Sequence, residues 1–266
     1  MVFNLVLYLL VGATAGFLGG LLGIGGGLLI VAALSFTLPA LGVPASEVMH
    51  VSVATSLAGI VLIAAASTTA QLRRRAVMLP TLLRLAPGLV LGGFIGAHLA
   101  QLMSGSVLRW VIAGFCLFMA WRMAFGHRRE VREEHVPTST WLLPAGLGIG
   151  TVSAIVGIGG GSLTVPLLVT LGVQPVRAIA TSSAAGLLIA LASSISYMLA
   201  LHAPTLPLPT GALGYVYLPA AAATAIASMI TAQFGVRLAH RLSGPTLKRM
   251  FAAFLLVVGV LIASGG

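Results

Sequence analysis

The residues best placed to do chemistry in this chain are backbone amides. The run Gly23-Ile24-Gly25-Gly26-Gly27 breaks one apolar segment, and Gly157-Ile158-Gly159-Gly160-Gly161 breaks another 134 residues on. Immediately after each run a short helix is expected, from Leu28 in the first case and from Ser162 in the second. The first amides of a helix have no partner within it, and its macrodipole places positive potential there. Two such ends converging on one place form an anion site without a full positive charge. Glycine lets the backbone come close to a tetrahedral or pyramidal oxyanion. Gly25, Gly26, Gly27, Gly159, Gly160, Gly161 and Ser162 are therefore candidate binding residues. The competing reading is that these glycines only let helices pack, as expected of Gly88, Gly92 and Gly96, spaced four apart. A nucleotide fingerprint is disfavoured, because neither run follows a strand in a βαβ context.

Hydroxyls supply a second layer. Ser162 and Thr164 follow the second break, and the matched pairs Thr55-Ser56 and Thr181-Ser182 begin the next helix in each half. In membrane helices Ser and Thr commonly bond their own backbone or a neighbouring helix, so each has a structural as well as a ligand reading. Two charged or titratable residues join the list. Arg84 lies about two turns inside its helix and either snorkels to the surface or faces a cavity. His50 begins the helix carrying Thr55-Ser56 and reaches either a cavity or water. His98, Gln101 and Gln233 are expected near helix ends or in interhelical bonds.

The elements that must position these groups come in two copies. Gly12 and Gly16 match Gly146 and Gly150, Ala54-Thr55-Ser56 matches Ala180-Thr181-Ser182, and the GAHLAQLMSGSVLR stretch from Gly96 matches GVRLAHRLSGPTLK from Gly235. Internal duplication of this kind marks many secondary transporters, whose two halves enclose a site near the bilayer midplane. Apolar segments are expected over 3–22, 28–38, 48–70, 77–102, 107–125, 141–156, 162–171, 178–201, 212–236 and 246–263. Segments 28–38 and 162–171 are too short to span as helices, at about 15 Å each. The expected fold is all-α: a polytopic membrane protein of two repeats, each a glycine-broken or re-entrant hairpin plus three transmembrane helices. The first repeat covers 1–125, a cytoplasmic linker 126–140 and the second repeat 141–266. If each break only kinked a spanning helix, the arginine-rich loops of the two halves would face opposite sides, against the positive-inside rule. An odd number of net crossings per half brings Arg73-Arg74-Arg75, the basic linker from Arg122 to Arg132, Arg177, Arg237, Arg241, Lys248 and Arg249 to one side, and inverts the repeats.

Composition narrows the chemistry. The chain is 59% hydrophobic and 7% charged, which fits helices crossing a hydrocarbon core at about 20 residues each. It contains no aspartate, and its four glutamates, Glu47, Glu130, Glu133 and Glu134, fall in segments that read as loops. Enzymes that need intramembrane acids or metal ligands are disfavoured, as is a serine hydrolase, so the chain reads as a non-enzyme with no cofactor and no metal. With no buried carboxylate expected, a proton relay of the Asp or Glu kind is unavailable. Any transported proton is then expected on His50, on another histidine or on the substrate. The net charge of +10 is topology signalling between apolar segments rather than a nucleic-acid face. The single Cys116 permits no intrachain disulfide. The first apolar run lacks the basic start of a signal peptide and is expected to remain in the mature protein.

The duplicated GIGGG breaks, the ATS blocks after them, the length and the polar mid-chain linker resemble the TauE/SafE family of membrane permeases, the sulfite and organosulfonate exporters. The resemblance covers essentially the whole chain. It implies export of small sulfur-containing anions, such as sulfite or sulfoacetate, across a bacterial inner membrane. It does not fix the substrate. The alternatives are a permease or channel for another small anion, a carboxylate or a different oxyanion. The expected partners are the anionic substrate and the lipid bilayer, with a homodimer consistent with the GxxxG-rich faces.

Overall fold

The computed structural model describes residues 2–22, 26–125, 139–199, 208–239 and 244–264. Among these the chain forms the helices α1 (Val2–Leu22), α2 (Gly27–Thr37), α3 (Val48–Arg73), α4 (Leu79–Leu102), α5 (Gly105–Phe125), α6 (Leu142–Val156), α7 (Gly161–Thr170), α8 (Pro175–Leu199), α9 (Leu218–Ala239) and α10 (Gly244–Ser264). A short hairpin of β1 (Ala212–Leu213) and β2 (Val216–Tyr217) precedes α9. Within the described residues, α3, α4, α5, α8 and α9 are long and apolar enough to cross a membrane. The helical, polytopic expectation holds. The linker expected at 126–140 lies outside the described residues but for its last two positions.

One boundary differs from the sequence reading. The apolar run 212–236 is not one helix, because its first six residues form the hairpin, paired Ala212 to Tyr217 and Leu213 to Val216. Gly211 and Gly214 hold φ of 96° and 54°, which an L side chain rarely adopts and a helix cannot use. The helix begins only at Leu218-Pro219, where proline's missing N–H does not matter.

Packing follows the duplication. Helix α1 lies along α9, while its counterpart α6 lies along α4; α3 and α8 pack on each other at the middle, and α5 pairs with α10. The α4–α6 seam is made by Gly88, Gly92 and Gly96, which lie against the backbones of Leu143, Leu147 and Thr151. A Cβ on the facing Gly146 would come within 2.6 Å of Leu85 O, so the expected packing role of the spaced glycines is observed. The α1–α9 seam uses Gly12, Gly16 and Gly20 against Thr224, Ser228 and Ala232 in the same way. Ser228 Oγ also donates to Gly12 O at 2.7 Å. Leu83, Trp110, Phe118, Trp121 and Phe234 stand exposed around the outside, as a lipid-facing surface requires.

Candidate functional site

Both glycine breaks reach the α3–α8 pair and meet there. In the first, Gly26 has φ 72° and precedes α2; in the second, Gly160 has φ 70° and precedes α7. The carbonyl of each closes the first turn of its helix, Gly26 O accepting from Leu29 and Ile30, and Gly160 O from Leu163 and Thr164. Gly26 lies against the Ala15 backbone, two turns back along α1, so the chain doubles back at this tip. Gly23, Ile24 and the candidate Gly25 lie outside the described residues.

The contact between tips is direct. A Cβ at Gly27 would come within 2.7 Å of Gly157 O, so only a glycine leaves room for the other break. Ser56 Oγ lies 3.0 Å from Gly27 O and 3.1 Å from Gly157 O, and its one hydroxyl hydrogen is shared between the two tips. The tips are sealed by apolar side chains. Ile60, one turn beyond Ser56, reaches the Gly27 and Gly159 positions, and Ile189 of α8 reaches Gly160.

Hydroxyls at the second tip are buried. Ser162 and Thr164 lie in the first turn of α7, 7% and 0% exposed, and neither hydroxyl has a hydrogen-bond partner among the described residues. Ser153 of α6 and Ser52 of α3 also keep buried hydroxyls without partners. A buried unpartnered hydroxyl is uncommon in a folded protein, and several within a turn or two of one backbone break form a set of donors with nothing to bond. At the matching positions after the first tip stand Leu28 and Ile30, both buried and apolar. The polar side chains at the meeting point are therefore those of the second tip and of Ser56.

The other candidates fall elsewhere. Thr55 Oγ1 accepts the Tyr217 N–H at 3.0 Å, and Thr181 Oγ1 accepts the Met78 N–H at 3.0 Å. These two bonds are repeat-related, each fixing the start of the helix, α9 or α4, that follows in the other half. Ser182 does not mirror Ser56, for its hydroxyl bonds Ile179 O within its own helix. Arg84 is exposed on α4, apart from the buried tips. Gln101 donates across to Ser196 O at 3.4 Å, an interhelical bond as expected.

His50 belongs to a separate buried cluster that corrects the sequence reading. Glu47 lies in the turn just before α3, a loop position as expected, but it is only 6% exposed, so the expectation of no buried carboxylate fails; its Oε2 stands 3.8 Å from His50 Nδ1. His50 is 4% exposed, and its Nε2 lies 3.1 Å from Ala100 O and 3.0 Å from Met103 O. The Tyr215 ring packs 5.5 Å from the imidazole, centroid to centroid. Its phenol is pushed up to about 12, by burial first and then by the charge of Glu47 and the bond to it. Sequence reasoning missed Glu47 because it precedes an apolar run among Pro44, Ala45 and Ser46, a loop-like context. Tyr215 lay inside the run taken for a helix.

Two further spaces are apolar. A groove of about 520 Å³ is lined by Ala13, Thr14, Phe17, Leu18, Thr231 and Phe234 on the α1–α9 seam. Another of about 330 Å³ runs between α2 and α10, with Phe36 and Phe254 in its walls.

Residues 8–262 match the family model described as sulfite exporter TauE/SafE. A probable membrane transporter protein of Haemophilus influenzae is 33% identical over 256 residues, covering 96% of this chain and 97% of that one. A probable membrane transporter protein of Methanocaldococcus jannaschii is 26% identical over 257 residues, covering 96% and 94%. One from Bacillus subtilis is 28% identical over 218 residues, covering 75% and 80%. No solved structure matches the chain.

Proposed function

Since this chain belongs to the sulfite exporter TauE/SafE family of membrane transporters, we propose that it exports a small sulfur-containing anion, sulfite or an organosulfonate, through a site at the two glycine tips. The observation that carries this reading is the meeting of the tips: one hydroxyl, Ser56 Oγ, lies within 3.1 Å of a carbonyl from each break. Around that point the starts of α2 and α7 offer unpaired amides and positive potential, and Ser162 and Thr164 offer buried donors. An oxyanion satisfies both at once.

The conformation described is a closed one at the tips. Ile60 and Ile189 occupy the glycine surface where an anion would lie, so binding requires α3 or α8 to withdraw from the tips. Ser56 is the latch in this scheme, since its hydroxyl is released to the anion when the tip carbonyls part. We further place the two repeats inverted across a bacterial inner membrane with the arginine-rich ends in the cytoplasm. An inside-negative potential then favours outward anion movement by about 2.3 kcal/mol per charge per 100 mV.

The test is saturable uptake of labelled sulfite into proteoliposomes. Sulfite uptake competed by organosulfonates but not by carboxylates supports the reading. A folded protein that moves carboxylates or other oxyanions and ignores sulfite moves the assignment to another anion class. Unitary currents in a planar bilayer identify a channel instead.

A further inference from the structure

We propose that Glu47, His50 and Tyr215 form a proton-binding site at the outer end of α3, and that its proton is exchanged for the exported anion. The inference deepens the transport reading above and rests on it.

The hydrogen-bond pattern fixes where the proton goes. The Ala100 and Met103 carbonyls can only accept, so His50 Nε2 carries a hydrogen and donates to them. That leaves Nδ1 as the basic nitrogen. It is buried, lacks a hydrogen-bond partner among the described residues, and faces Glu47 Oε2 at 3.8 Å. Tyr215, kept a phenol by burial and by Glu47, donates to the same carboxylate. Without a proton the site holds a buried carboxylate beside an unpaired nitrogen lone pair. With one, on Nδ1 or on the carboxylate, the net charge is neutralised and the unpaired nitrogen gains a partner across the gap. No other group is consumed or released in that step.

Every element around the pair is accounted for. Tyr197 of α8 packs 6.4 Å from Tyr215 and donates to Ala154 O of α6. Tyr8 of α1 stacks edge-on with Tyr217, 6.1 Å away, at the foot of the same hairpin. On α4 and α5, the two helices whose ends meet here, His98 and Arg109 are the titratable groups nearest in sequence to those ends, with Arg84, Cys116 and Arg122 further along. The hairpin itself is pinned by the Tyr215 N–H to Tyr197 O bond at 3.1 Å.

Two features make this more than a buried ion pair. First, the second repeat has no copy: the residues matching Glu47 and His50 are Val173 and Val176, so the frame does not need a polar cluster at this position. Second, the site and the latch share a helix. Ser56 is six residues along α3 from His50, about 9 Å by helical rise. Thr55 ties the same turn of α3 to Tyr217, two residues beyond Tyr215. A change of charge at Glu47–His50 alters how α3 is held by the α4 terminus and the hairpin, and α3 carries the hydroxyl that bridges the tips. The cluster stands at the opposite end of α3 from Arg73, so with the arginines cytoplasmic the proton enters from outside as the anion leaves.

The experiment measures sulfite exchange and substrate-driven proton movement in the same proteoliposomes, using an enclosed pH dye, for wild type, Glu47→Gln and His50→Gln. Glu47→Gln keeps the side-chain shape, and His50→Gln keeps a donor for the two carbonyls, so either variant serves if the other fails to fold. The expected result is sulfite-dependent proton flux in the wild type that is lost in the variants while sulfite-for-sulfite exchange persists. Unchanged proton flux in the variants overturns the site, since the proton then rides on sulfite itself. Sulfite transport without any proton flux in the wild type also overturns it and leaves the export reading standing. Absence of sulfite exchange in the folded wild type refutes the export reading instead. In that case a carboxyl band in pH-difference infrared spectra that Glu47→Gln removes still supports the proton site, and its absence overturns the site as well.

Discussion

Replacing Thr164 by Val separates ligand binding from fold stability with unusual directness. The two side chains have nearly the same shape, and Thr164 is fully buried with no partner for its hydroxyl among the described residues. A buried hydroxyl left unpaired costs about 1–3 kcal/mol, so its removal should leave the melting temperature unchanged or raise it. If that hydroxyl donates to a bound oxyanion, the substitution removes a hydrogen bond to a charged group, about 1.5–3 kcal/mol. At 1.4 kcal/mol per tenfold, the half-saturation concentration for sulfite rises roughly 10- to 100-fold. Ser162→Ala should act in the same direction for the same reason, its hydroxyl being equally unpartnered. The assay pairs thermal unfolding of the detergent-solubilised protein with concentration dependence of sulfite exchange in proteoliposomes. An unchanged half-saturation in the double variant refutes the anion site at the second tip. A clear fall in melting temperature refutes the premise that these hydroxyls are idle in the fold.

Other substitutions probe the frame. Ser56→Ala removes the donor shared by Gly27 O and Gly157 O, and unfolding measurements should show a loss of about 1–3 kcal/mol, whereas Ser182→Ala, which breaks an intrahelical bond, should be near neutral. Thr55→Val and Thr181→Val should each cost about 1 kcal/mol, and by similar amounts, because each removes the acceptor at the start of one helix. Gly146→Val places a side chain against Leu85 O across the α4–α6 seam and should yield no monodisperse protein on size exclusion. Tyr215, with its phenol pushed up to about 12, keeps its proton in the fold when an ordinary tyrosine, near about 10, has lost it. Its contribution is fully present below that ordinary value and lost as pH rises through about 12, so a pH series of unfolding should show a decline over this alkaline range that Tyr215→Phe removes.

What could be read from the sequence was whatever the chain states twice. The two breaks, the short helices after them and the spaced glycines of the seams are backbone features with a local signature, and each appears where the duplication puts it. The roles of Thr55 and Thr181 were half legible: their symmetry was visible, but the partners, Tyr217 and Met78, lie in the other half and carry no motif. Glu47 and Tyr215 were illegible for a different reason. Burial of a loop residue depends on the ends of α4 and α5 and the hairpin closing over it, and no periodicity within residues 43–50 records that. The hairpin at 212–217 was hidden by its own apolar side chains, with only Gly211 and Gly214 to mark it.

This division bears on mechanism. On the inverted-repeat reading proposed above, a transporter built from two like halves is nearly balanced between two conformations, and the repeat-related contacts contribute about equally to both: the glycine seams, the paired threonines and the α3–α8 contact have a counterpart whichever side opens. Only departures from the repeat can bias the balance. Among the described residues these departures include Ser56 bridging the tips where Ser182 does not, Ser162 and Thr164 standing where the first half has Leu28 and Ile30, and Glu47–His50 standing where the second half has Val173 and Val176. Each is polar and buried, and Ser162 Oγ, Thr164 Oγ1 and His50 Nδ1 lack a hydrogen-bond partner among the described residues. A ligand or a proton that supplies the missing partner has a differential interaction with one state, which is what a shift of the equilibrium requires. Exchanging the asymmetric residues between halves, with Ile30→Thr and Thr164→Ile combined, should therefore keep the fold while moving the polar lining to the first tip. If sulfite affinity follows the hydroxyl to the other tip, the frame is symmetric and the site is not; if affinity is lost in a folded protein, the α7 terminus has a role that α2 cannot take over.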